Sequence, residues 1–160
     1  MKVTAGVTAV CSLLLVAGCT STSDFPDISG YADSGSTYEQ VNVPRAQGFR
    51  FTTPSGLICT SNAYPDTAYE SVDCLGPLPH QGPGDWSVSA GRTSAAIVES
   101  VNGDPDFPQD KIHPPPPLPP MHRLTAGKGD AVCAVDDKGM TACRVGEHGF
   151  VLMPDRTTLF

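Results

Sequence analysis

Four cysteines set the narrowest limits on this chain. Cys59, Cys74, Cys133 and Cys143 each lie in a short β-prone run closed off by Gly or Pro. The other two, Cys11 and Cys19, fall in an N-terminal stretch that reads as an export leader and its end. An even set of cysteines in an exported chain implies disulfides, because the compartments outside the cytoplasm are oxidising. Four cysteines permit three connectivities. Proximity favours Cys59 with Cys74 and Cys133 with Cys143, at separations of 15 and 10 residues, and loop-closure entropy assigns each bridge about 2.5 to 3 kcal/mol. A four-thiolate zinc site is disfavoured, since no C-x-x-C pair is present.

The leader itself is legible. MKVTAGVTAVCSLLLVAG carries one positive charge at Lys2, followed by a mostly apolar stretch from Val3 to Ala17. That stretch is shorter than the ~20 residues a spanning helix needs, so it is an export signal and not an anchor. It ends in Leu15-Val16-Ala17-Gly18-Cys19, which resembles the lipobox of bacterial lipoproteins. The resemblance implies that the Cys19 thiol is diacylated and the chain cut between Gly18 and Cys19. Each buried methylene contributes about 0.8 kcal/mol, so two or three acyl chains make a stable hold on the membrane.

Residues 1–18 are accordingly the signal peptide, 19–47 the lipidated cysteine and a flexible tether, and 48–160 the folded domain. The tether from Thr20 to Gln47 is rich in Ser, Thr, Gly and Asp. Its Phe25, Ile28 and Tyr31 are too few to build a core, while Tyr38, Val41 and Val43 could dock as an early strand. A flexible chain of this length spans roughly 30 Å.

From Phe49 onward the sequence predicts a mainly β domain, a small disulfide-stapled sandwich or irregular barrel. With 16 Gly and 16 Pro in 160 residues, turns and short strands are favoured over long helices. Phe49 and Phe51 flank Arg50, Thr53-Pro54-Ser55-Gly56 makes a turn, and Leu57-Ile58-Cys59 opens a second strand. Ser71 to Leu75, Trp86 to Ser89 and Ala95 to Val101 predict further strands. Ala131 to Val135 and Met140 to Val145 form a hairpin about Asp136-Asp137-Lys138-Gly139, and Phe150 to Met153 and Thr157 to Phe160 complete the sheet.

Residues 103–120, GDPDFPQDKIHPPPPLPP, hold eight prolines. Proline fixes φ and donates no amide hydrogen bond, so the stretch is expected as an extended surface loop, stiff and dispensable for folding. A stiff spacer between two halves of the domain is preferred to a docking ligand for an aromatic groove.

The motifs FTTPSGLIC at 51–59, Cys74, AGKGDAVC, KGMTAC and HGFVLMPDRTTLF together are similar to uncharacterised exported proteins and lipoproteins of mycobacteria and other actinobacteria. The similarity covers roughly residues 49–75 and 124–160. It implies the address and the fold and supplies no chemistry.

A net charge of −7 without any Lys/Arg run argues against nucleic-acid partners, which need a clustered positive field. Ser55 lacks a G-x-S-x-G elbow, and His80, His113, His122 and His148 stand at no helical metal-pair spacing. Ser55 and His148 are the exploratory candidates, each more readily explained as a turn residue. Asp104, Asp106, Asp110, Asp130, Asp136 and Asp137 do not match a calcium loop. No metal or cofactor is expected. The expectation is a non-enzymatic binding or scaffolding module on the extracytoplasmic side of the cell membrane, its partner an envelope protein, a lipid or a glycan. The alternative is an envelope hydrolase acting on wall or lipid substrates.

Overall fold

The computed structural model describes residues 24–38, 48–62, 69–102, 113–126 and 130–160. Cys19 lies outside these residues, as do Val41 and Val43 and the first part of the proline-rich stretch.

Among the described residues, eleven strands form two sheets that pack face to face as a sandwich, and neither sheet closes into a barrel. The strands are β1 (Ala32–Asp33), β2 (Arg50–Thr52), β3 (Ile58–Asn62), β4 (Ser71–Gly76), β5 (Trp86–Gly91), β6 (Ser94–Ser100), β7 (His122–Ala126), β8 (Ala131–Val135), β9 (Thr141–Val145), β10 (His148–Met153) and β11 (Arg156–Leu159). No α-helix occurs among the described residues, and none of their helices is long and apolar enough to cross a membrane.

Each sheet is an antiparallel meander of consecutive strands. One runs β2-β3-β4-β5-β6, the other β7-β8-β9-β10-β11, with β1 added in parallel beside β7. The two meanders share a plan. In the first, Phe51 faces Cys59, Cys59 faces Cys74 and Cys74 faces Val88. In the second, Leu124 faces Cys133, Cys133 faces Cys143 and Cys143 faces Phe150. Both rows point into the sandwich, and all eight side chains are buried. Period-two alternation sets this: β4 places Val72, Cys74 and Gly76 inside and Ser71, Asp73 and Leu75 outside.

The disulfides are Cys59–Cys74 and Cys133–Cys143, each tying directly opposed residues of neighbouring strands with Cα atoms 4.1 Å apart. They meet at the centre of the core, where Cys74 Sγ lies 3.9 Å from Cys143 Sγ.

Turn chemistry brings the strands into register. Gly56 takes φ +86°, a left-handed conformation that glycine adopts without steric penalty, and closes the β2–β3 turn. Its amide donates to the Thr53 carbonyl, while the Leu57 amide donates to Thr53 Oγ1. Gly149 is glycine for a different reason: a Cβ there would stand 2.4 Å from the Cys143 carbonyl oxygen.

Two sequence expectations are corrected. Phe25, Ile28 and Tyr31 do contribute a core. Phe25 and Ile28 are buried on the outer face of the second sheet with Val132, Ala134, Met140, Ala142 and Val151, and Tyr31 packs against them. The Phe25 ring meets Phe160 edge-on at 6.3 Å and carries the Arg144 guanidinium over its face at 4.7 Å. These residues look too sparse when counted within their own segment, because the apolar surface they need is supplied by strands more than a hundred residues later. Tyr38 also docks, in a 3-10 turn (Gly35–Tyr38) and not in a strand.

The second correction concerns the prolines. Residues 115–118 lie parallel to β2 and close its open edge. The Pro116 carbonyl accepts from the Thr52 amide at 3.0 Å, the Leu118 amide donates to the Thr52 carbonyl at 2.9 Å, and the Pro117 carbonyl accepts from the Tyr38 hydroxyl at 2.8 Å. Leu118 is buried in the main core. Prolines suit this place because they accept hydrogen bonds toward β2 and offer no amide outward, so the edge cannot recruit another strand.

Candidate functional site

The loops gather at two ends of the sandwich. At the first end lie the β2–β3 turn with Ser55, the loop between β4 and β5 with His80, the β8–β9 turn and the β10–β11 turn. At the second end lie the β5–β6 turn, the residues before β4 and β8, and the β9–β10 turn, which leads into His148.

This arrangement separates the two exploratory candidates. Ser55 stands where β3 begins, next to the Leu75 end of β4. His148 opens β10 opposite Val145, and the neighbouring Gly146 donates its amide to the carbonyl of Asp130, the ion-pair partner of Arg92, beyond the Ser71 end of β4. The length of a five- or six-residue strand, roughly 17–20 Å, lies between the two ends. General-base catalysis requires hydrogen-bond reach, so Ser55 and His148 do not form a nucleophile–base pair. Ser55 is exposed and its Oγ shares a hydrogen bond of 2.8 Å with Thr53 Oγ1, a turn role.

The other described histidines have structural settings. His80 Nε2 shares a hydrogen bond of 2.6 Å with Thr157 Oγ1, bridging the two sheets at the first end. His122 Nδ1 donates to the Pro120 carbonyl. His113 is exposed. Two buried polar atoms at the first end, His80 Nδ1 and Trp86 Nε1, have no hydrogen-bond partner among the described residues.

The four described cysteines offer no thiolate ligand set. The sulfurs of Cys59, Cys74 and Cys143 lie within 4.8 Å of one another, close enough to surround a metal ion. All of them are spent in disulfides, and a metal ligand must be the free thiolate. Several acidic residues act as turn caps. Asp136 accepts from the amides of Lys138 and Met140, Asp33 from Gly35 and Asp27 from Ser29. Asp104, Asp106 and Asp110 lie outside the described residues.

A charge cluster among the described residues joins positions that the sequence does not link. Arg92 in the β5–β6 turn donates to Glu70 Oε2 through Nε at 3.1 Å and Nη2 at 2.7 Å. Its Nη2 also pairs with Asp130 before β8. The Arg92 amide donates to the Glu70 carbonyl, and the Gly146 amide to the Asp130 carbonyl. One guanidinium thus pins three loops and both sheets together at the second end. Glu70 is only 3% exposed. Residues 70, 92 and 130 are far apart in sequence and carry no shared spacing signal, so sequence weighs Asp130 only for a calcium loop and does not join it to Glu70 and Arg92.

Asp73 is the other notable acid. It projects from β4 on the outer face of its sheet, between Thr60 and Ser89, and accepts from the Ser71 hydroxyl at 3.1 Å. Burial raises its pKa above the ordinary 3.8, and the Ser71 hydrogen bond opposes that in part. A carboxyl whose folded pKa is raised binds its proton more tightly when folded. Its ionisation therefore removes stability as pH climbs from 3.8 through the raised value. Asp73→Asn is expected to be more stable than wild type at neutral pH, with the gap closing below 3.8. Urea midpoints measured on both sides of this window check it, and equal midpoints at neutral pH would sink it.

No protein-family model, no curated protein and no solved structure matches this chain.

Proposed function

We propose that the protein is a lipid-anchored envelope module that acts by binding or scaffolding, without catalysis, on the extracytoplasmic side of the cell membrane. The observation that carries this reading is the leader ending in Leu15-Val16-Ala17-Gly18-Cys19, a short export signal with small residues before a cysteine. Two disulfides in the folded part agree with an oxidising compartment. The separation of Ser55 from His148 speaks for binding over hydrolysis. The unpaired polar atoms of His80 and Trp86 lie at the end that also carries the Ser55 turn.

Acylation depends on the Cys19 thiol. Cys19→Ala is expected to abolish both the acyl mass and cleavage after Gly18, moving the protein from the detergent phase to the aqueous phase. Unaltered partitioning and processing in the variant would refute the anchor.

A further inference from the structure

The route of the chain into the domain sets which end of the sandwich lies nearer to Cys19. The tether expected from sequence runs from Thr20 to Gln47 and would lift the domain well clear of the bilayer. The structure shortens it severely. Phe25 is 9% exposed, wedged between the Phe160 ring and the Arg144 guanidinium. Ile28 is buried on the same outer face, and β1 is hydrogen-bonded beside β7. The chain is therefore fastened to the second sheet over residues 25–33. Between Cys19 and Asp24 there are five Cα–Cα steps, which span at most about 18 Å however they are arranged.

The point of entry is also defined. Phe160 is paired with Gly149 by two hydrogen bonds, at 2.9 and 3.0 Å, and Gly149 faces Arg144. Phe25 thus enters at the second end, the end of the Arg92 cluster. Tyr69, adjacent to Glu70 in that cluster, is the most exposed large apolar side chain described, at 70%. A tyrosine with an apolar ring and a polar hydroxyl is suited to the headgroup region of a bilayer, where one part of the side chain is dry and the other wet.

Resting on the lipid-anchor reading of Cys19, we propose that the second end of the sandwich lies against the lipid surface with Tyr69 at the headgroups. The first end, with the Ser55 turn and His80, then points away from the membrane and is the face open to an envelope partner. A domain held at five residues cannot present its ends with equal frequency. The leash is about as long as the domain's own strands, so tumbling that brings the first end down to the headgroups strains the leash.

The test uses the lipidated full chain in phosphatidylcholine vesicles that contain a headgroup-linked nitroxide quencher. A fluorophore is placed by Thr93→Cys in the exposed β5–β6 turn at the second end, which leaves Tyr69 in place, or by Lys138→Cys in the exposed β8–β9 turn at the first. Flotation with the vesicles reports the anchor separately from the orientation. The expected result is full flotation, with the label at position 93 quenched several-fold more than the label at 138. A spacer of about twenty Gly and Ser residues inserted before Asp24, spanning roughly 25 Å, should bring the two labels close to parity. Flotation with equal quenching, or stronger quenching at 138, overturns the orientation and leaves the anchor standing. Failure to float overturns the anchor, and the orientation with it.

Discussion

Replacing Arg92 with Ala is expected to destabilise the protein by about 3 kcal/mol, the lower part of the range for breaking a buried ion pair, because solvent reaches the guanidinium. The effect arises less from the attraction lost than from the charge left behind. Glu70 is 3% exposed and Arg92 25%, so removing the arginine strands a carboxylate in the protein beside the second carboxylate of Asp130. Water cannot replace the two guanidinium donors at Glu70 Oε2 without opening the end of the sandwich. Glu70→Gln in the Arg92→Ala background should recover part of the loss, since a neutral amide is less costly to bury than an unpaired charge. Urea denaturation of the two single variants and the double variant measures this coupling. Additive losses would show that Arg92 acts only through its aliphatic stem.

The second large effect is expected at Leu118, where Ala should cost about 2–5 kcal/mol, as for other buried leucines. Leu118 is 1% exposed and packs in the main core between the sheets. In the run from Pro114 to Pro120 it is the sole residue with a backbone amide, and that amide is the one that bonds to Thr52. The segment is thus built around one residue that both donates and buries, with prolines on either side as acceptors and spacers. Pro119→Ser and Pro120→Ser, at exposed positions, should stay within about 0.5 kcal/mol of wild type. Denaturant midpoints for the three variants separate the positions. A Leu118→Ala loss below about 1 kcal/mol would restore the view that the segment is a dispensable spacer.

What the sequence reveals about this fold follows from how local each signal is. The disulfides could be read because both bridges close short loops between adjacent strands, so proximity along the chain coincided with proximity in space. The Ser55 turn and the hairpin about Asp136 to Gly139 are likewise local, specified by Gly, Pro and Asp chemistry within four residues. The partners of Phe25, Leu118 and Arg92 come from distant strands, and nothing in the neighbouring sequence points to them. Leu118 is concealed further by its surroundings, because a proline-rich run resembles surface spacer whichever way its one leucine faces. The shared plan of the meanders, FTTPSGLIC against LTAGKGDAVC, is visible once the register is known. A one-residue difference in turn length hides it from a search at fixed spacing. For the candidate site, sequence offered Cys19 as the expected lipidation site and two exploratory residues, Ser55, which does lie in a turn, and His148, which instead opens β10. The charge cluster at the second end and the unpaired atoms of His80 and Trp86 required the fold.

Both covalent cross-links run within a sheet, and among the described residues none runs from one sheet to the other. Under tension this determines where the molecule yields. A pull that enters through the N-terminal residues loads the sheet on which Phe25 is seated. A partner gripping the other sheet pulls against side-chain packing, the Arg92 cluster and the His80–Thr157 contact, with no disulfide in the load path. The sandwich is therefore expected to part along its midplane before either sheet unravels. Each half would then remain a stapled meander with its strand register intact, ready to close again when the load is released.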